Sequence, residues 1–372
     1  MKDRQACTIP LLLAFIAALG LAILGLACRR ENESPPATLA GEDSLTEIRR
    51  TRRKQVVERD GEQIGGEYDV VSRPIHSPAG DSIAFPARTG NRWQVIRDGE
   101  PVGGDYDAVG RPVFSADGTS IAFPAEQGGE WFVVKDGERA SDGYVQVSDV
   151  AINRDGTSLA FAGWDQRGCV VVQDGEPLTV HLDIDDIDEL RYDPEGRLPV
   201  YRAVVGDEQF IVRGGEPITD RYPRIQTWTI APDGETLALV ATIDDKEVLI
   251  MGGRHLGEPF LAYYAGPLAF SPDSKRVAMP IKTVDGWHIT VDGVPKDGPI
   301  EADLITQIVF CPEGADLAYA ARSGDQWFVV KGDTRLDGRY DSVTGLRNSE
   351  DGTALVFAAA QRGTNIVVRE PW

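Results

Sequence analysis

The chain has 372 residues and a formal net charge of −21, with 42% hydrophobic and 26% charged residues. The apolar share is that of a folded body. The acidity excludes nucleic acid and anionic lipid as partners of the main body, since both demand a basic face.

Lys2 and Arg4 open the chain, followed by an apolar run over residues 9–27 that ends in Gly25-Leu26-Ala27-Cys28. A basic start, an apolar core and small residues before a cut make a secretory signal over residues 1–28. Cys28 at this point resembles the lipobox cysteine of bacterial lipoproteins, which implies a lipidated mature N-terminus. An uncleaved anchor helix is the alternative, because the run can just span a bilayer; simple secretion is a third. The first two place the body outside the cytoplasm on a tether. Residues 29–52 read as a flexible linker. Arg49, Arg50, Arg52, Arg53 and Lys54 form a basic lead-in, able to touch anionic headgroups.

A single unit then recurs. Phe114-Ser115-Ala116-Asp117-Gly118-Thr119-Ser120-Ile121-Ala122-Phe123 reads as a strand end, a tight corner and a second strand. The corner residue returns at Gly80, Gly118, Gly156, Gly196, Gly234, Ser274, Gly314 and Gly352, at intervals of 38 or 40 residues. Beyond each corner lies a short apolar strand such as Ile83-Ala84-Phe85, with a small residue between large ones; Pro199 disturbs it in one unit. A second apolar run starts at Trp93, Trp131, Trp287 and Trp327, four of the seven tryptophans. Their shared slot marks them as packing residues, and Cys169 fills the same slot in its unit. Asp-Gly pairs such as Asp98-Gly99 and Asp136-Gly137 then permit the positive φ of hairpin turns. An apolar residue follows 26 places beyond the corner, at Tyr106, Tyr144, Leu182, Tyr222, Phe260, Ile300 and Tyr340, with Tyr68 ahead of the first corner. Asp69, Asp107, Asp183 and Asp341 come next after it.

Each unit is about four short strands, with no helical period after the leader. A repeated meander of ~40 residues predicts propeller blades. The expected fold is all-β: an eight-bladed β-propeller of four-stranded antiparallel blades over residues 53–372, seven blades being the alternative. The N-terminal strand is expected to complete the last blade and close the ring. Residues 55–62 repeat the third-strand pattern without a corner, which leaves one strand in surplus. Corners such as Ala231-Pro232-Asp233-Gly234 and Ser271-Pro272-Asp273 are similar to the WD40-like repeat of TolB-type propellers, over roughly residues 55–372. That resemblance implies the fold and says little of function. TolB carries an α/β domain ahead of its propeller, and prolyl oligopeptidase-type enzymes a hydrolase domain beside theirs; the sequence leaves room for neither.

Cys7 lies in the leader. Cys169 and Cys311 fall on opposite sides of such a ring, beyond the ~7 Å Cα limit for a disulfide, so two free, mostly buried thiols are expected. No nucleophile elbow, metalloprotease helix, Cys-x-x-Cys or P-loop pattern is present. His76 aligns with core residues, while His181 and His255 have no partner by spacing; neither a metal site nor a cofactor is expected. Asp183, Asp185, Asp186, Asp188 and Glu189 crowd one link and read as a solvated acidic loop, with Ca²⁺ as the alternative.

The positions seven before each corner should gather at one mouth of the axial channel. Among them Arg73, Arg111, Asp149, Glu189 and Gln307 are candidate binding residues for a zwitterionic ligand or a peptide segment; none is assigned a catalytic role. The expected function is a monomeric binding scaffold for a protein or small ligand of the cell envelope, held extracytoplasmically by its anchor, with recognition sought in loops over residues 178–307. An enzyme acting on glycan or peptide at the mouth is one rival. A structural envelope protein docking through an apolar patch is another.

Overall fold

The computed structural model describes residues 38–40, 44–51, 53–78, 80–166, 168–178, 184–261, 264–296, 298–349, 351–362 and 364–372. Residues 1–28, with Cys7 and Cys28, lie outside them, as do His181, Leu182 and Asp183.

The corner is the local unit from which the fold grows. Gly118 sits at φ 74°, and Ser274, the one corner without glycine, at φ 61°. The Gly118 N–H donates to the Ser115 carbonyl at 2.9 Å, and the Ser115 N–H to the Ser120 carbonyl at 3.0 Å. The Ser115 hydroxyl accepts from the Ser120 N–H at 3.0 Å and donates to Asp117 at 2.6 Å. Ser77, Asn153, Asp193, Ser271 and Ser349 hold the same seat. Cys311 holds it too, its Sγ accepting from the Asp316 N–H at 3.2 Å. Cys311 is therefore a serine substitute, and Cys169 sits in the tryptophan slot, where burial pushes its thiol up to about 12. Both are free and buried, and neither is a poised nucleophile.

Among the described residues the strands form nine antiparallel sheets of three to five strands, in chain order, and no helix occurs. The sheets span residues 38–68, 70–106, 108–139, 146–177, 186–217, 225–260, 264–295, 304–335 and 342–371. The eight corners account for the second to ninth sheets. The first, without a corner, takes in the surplus strand: within Ser44–Arg50, Thr46 to Arg50 pair with the whole of Gln55–Arg59. Most of residues 44–50, assigned to a linker by composition, thus alternate as a strand, with Thr46 and Ile48 buried and Glu47 and Arg49 exposed. Two cations of the basic lead-in are paired here, Arg49 with Glu58 at 2.6 Å and Lys54 with Asp69 at 2.8 Å. Among the described residues no N-terminal strand pairs with the three-stranded ninth sheet; the first two strands are hydrogen-bonded in their own sheet instead.

Successive sheets are joined by the same few contacts. The second strand is apolar on both faces: Ile83, Ala84 and Phe85 are 1%, 0% and 0% exposed. Ile83 and Phe85 pack toward the first sheet, Ala84 toward the third. Tyr68, Tyr106, Tyr144 and Tyr340 each meet the next sheet's phenylalanine edge-on, as Tyr106 does Phe123 at 6.0 Å. Arg97 donates to the Gly118 and Thr119 carbonyls, both at 2.9 Å, pinning the second sheet to the corner of the third. Arg59 does the same for Gly80 and Asp81. Within sheets, Asp69, Asp107, Asp185 and Asp303 accept from the hairpin N–H groups of Gly90, Gly128, Gly206 and Gly324. In the fifth sheet the residue that caps the turn is Asp185.

The first and ninth sheets also lie side by side. Thr38–Ala40 runs against both Ser342–Asn348 and Ile75–His76, and Ser44–Arg50 against Thr364–Pro371. Val56 on the first sheet and Val356 and Ala358 on the ninth point away from the cores those sheets share with the second and eighth, yet are 0%, 0% and 2% exposed.

Asp136, at φ 50°, accepts from the Ile121 N–H at 2.8 Å and ties the third strand to the second. Asp136→Ala removes that acceptor and leaves a Cβ residue in the left-handed region. The expected loss is about 1–3 kcal/mol, measured as a lower urea midpoint at unchanged slope. Asp136→Asn, which tolerates this φ, should keep most of the stability.

Candidate functional site

The innermost strand of each repeat is where regularity fails. In the second, third and seventh sheets it splits in two around Pro74, Pro112 and Pro267, since proline cannot donate to the ladder. In the fourth, fifth, sixth, eighth and ninth sheets the strand is continuous but carries a register shift at the same place. The candidate residues sit at or beside these breaks. A bulge re-aims side chains, and that is how charged residues reach the inner edge of sheets whose faces are otherwise apolar.

Arg111 and Asp149 come together. They line one cleft of about 550 Å³, with Ile75 and His76 from the second sheet, Phe114 from the third, Ser148 from the fourth and Leu190 from the fifth. Arg73 occupies the equivalent place one sheet earlier. Both guanidiniums are exposed, and neither has a hydrogen-bond or ion-pair partner among the described residues. The Ser148 hydroxyl and His76 Nδ1 are buried there, also without a partner among the described residues. His76 Nε2 is held by the Thr46 hydroxyl at 2.9 Å.

The other side of the cleft is acidic. Burial holds the Asp149 carboxyl above the usual carboxylate range, helped by Asp188, Asp186 and Glu189 of the next sheet. Glu189 adopts φ 57° and lies 3.4 Å from Arg202. Arg202 grips Asp188 with two hydrogen bonds of 2.7 and 2.6 Å and donates to the Ile225 carbonyl at 2.6 Å. The expected solvated acidic loop is thus partly a strand clasped by an arginine. No group of three or more His, Cys, Asp or Glu suited to a metal occurs among the described residues.

Gln307 is not part of this cleft. Its amide donates to the Val343 carbonyl at 3.4 Å and accepts from the Leu346 N–H at 2.6 Å, so it bridges the eighth and ninth sheets. Gln226 links the sixth and seventh in the same manner, through the Ala265 N–H. Ser148 and Arg202 were missed in the sequence, and His76 was read there only as a core-aligned residue. Ser148 is an ordinary strand serine by composition, and only the bulge between Val147 and Val150 sets it apart.

His76 is depressed from 6.5 to about 4, first by burial and then by Arg59 and Arg347. The unfolded chain therefore binds a proton in this window that the folded chain does not, and stability falls as the pH drops through it. His76→Gln keeps a donor for Thr46 but does not titrate. Its unfolding free energy should change less between pH 6.5 and about 4 than that of the parent; equal pH slopes in denaturant titrations would refute the assignment.

No family model matches the chain, and no curated protein matches it. Among solved structures it is similar to the Dos1 propeller, at 12% identity and TM-score 0.46, covering 81% of this chain and 92% of that one. It is similar to the tricorn protease at 12% identity and TM-score 0.44, covering 91% of this chain and 44% of that one. It is also similar to TolB from Acinetobacter baumannii at 15% identity and TM-score 0.34, covering 69% and 80%. These neighbours are β-propellers.

Proposed function

We propose that the nine sheets are the blades of one closed propeller and that the chain is a non-catalytic binding scaffold. The adjacency of the first and ninth sheets, each burying apolar residues on the face turned toward the other, supports closure. The observation that carries the function is the cleft over the inner strands, with Arg111, which has no partner among the described residues, on one side and carboxylates on the other. A segment with separated charges, such as a peptide of a partner protein, matches that division. The body acts as a monomer outside the cytoplasm, tethered through residues 1–28 and a lipidated Cys28.

Turnover of a glycan or peptide in the same cleft is the rival reading. It is favoured by Asp149, which holds its proton more tightly than a free carboxyl and has Glu189 close by.

Two measurements test these readings. Crosslinking the tethered protein in cells should capture a partner that Arg111→Glu loses by about tenfold or more while the melting temperature is unchanged. Capture equal to the parent's would remove the cleft from consideration. Mass spectrometry of the mature N-terminus should find a diacylated Cys28, and an unmodified Cys28 inside an intact leader would end the lipoprotein reading.

A further inference from the structure

One slot of the repeat is short of a ring. Its described occupants are Tyr68, Tyr106, Tyr144, Tyr222, Phe260, Ile300 and Tyr340, and only Ile300 is not aromatic. Ile300 faces Trp287 across an isolated bridge, as Tyr144 faces Trp131 and Tyr340 faces Trp327. In four sheets the slot's tyrosine lies edge-on to the next sheet's phenylalanine, with centroids 5.9, 6.0, 5.3 and 5.6 Å apart. Tyr319 stands in that receiving position opposite Ile300.

A cavity of about 420 Å³ opens at this place, between the seventh and eighth sheets. Ile289, Ile300, Leu317, Tyr319 and Val330 line it. Lys296 and Asp333 stand at the rim, paired at 2.8 Å, with side chains 33% and 84% exposed. The Trp287 indole N–H, beside Ile300 on the same sheet, is buried without a partner among the described residues. Apolar side chains share the walls with Lys296, Asp333 and the Gly298 and Gly332 backbone, the missing group is a ring, and the less exposed of the two rim charges is the cation. A few polar groups beside apolar side chains are what orient a small ligand.

We propose that this cavity binds a small aromatic carboxylate. The ring occupies the slot that tyrosine fills at Tyr68, Tyr106, Tyr144, Tyr222 and Tyr340, edge-on to Tyr319. The carboxylate pairs with Lys296, and Asp333, already largely in water, gives up its place. The site is separate from the inner-strand cleft and does not depend on it.

The test is calorimetric titration of the full-length protein with 4-hydroxyphenylacetate, and with p-cresol as the uncharged probe. Saturable binding at millimolar concentration or tighter is expected for the acid. Lys296→Met should weaken the acid about threefold, the scale of an exposed ion pair, and leave p-cresol unchanged. Ile300→Tyr should fill the slot, abolish binding of both probes and raise the melting temperature. Absence of binding, or binding untouched by Ile300→Tyr, overturns the proposal. Should that variant fail to fold, nuclear Overhauser contacts from the probe ring to the Ile300 and Leu317 methyls of the parent decide instead, and their absence overturns it equally.

Discussion

A sheet that is apolar on both faces cannot end in water, and the rest of this structure depends on that constraint. Ile83 and Phe85 look one way, Ala84 the other, and all three are buried. A single repeat therefore has no stable state alone, because each face waits for a neighbour. The small residue between the large ones lets the next sheet approach, and the edge-on tyrosine and the arginine pin fix its angle and height. Stability is then shared among neighbours, and any account of one repeat is half an account of the two beside it.

The period was legible because it rests on chemistry that tolerates few substitutes. A corner needs positive φ, and glycine supplies it at seven of eight places. The seat before it favours a small polar acceptor, so serine, asparagine, aspartate and even the Cys311 sulfur recur there, and where Ala231 holds it Asp233 accepts from the Thr236 N–H instead. The tryptophan slot was read correctly for the same reason, and it explained Cys169. The first two strands of the first sheet escaped because that sheet has no corner and because Arg49 and Arg50 are both exposed, so the alternation is carried by Thr46 and Ile48 alone. The count of sheets shifted accordingly.

The candidate site was legible only in part. Sequence spacing aligned Arg73, Arg111, Asp149, Glu189 and Gln307, but a shared register is not a shared environment. A proline break leaves Arg111 exposed beside the cleft, a bulge places Asp149 among carboxylates, and Gln307 is consumed in holding the next sheet. Bulges leave no trace in the hydrophobic pattern, since they displace polar residues at an edge that faces no core. The same regularity makes exceptions informative: Ile300 is an unremarkable residue until it is set beside six aromatic occupants of its slot.

The short inner strand of the first sheet has a mechanical consequence. Thr38–Ala40 is three residues long and pairs with Ser44–Arg50 alone. Tension arriving from the N-terminal side meets that ladder first and opens it one rung at a time, as a zipper opens, while the pinned sheets behind it are still unloaded. The first sheet is thus placed to yield early and absorb a pull before the remainder feels it.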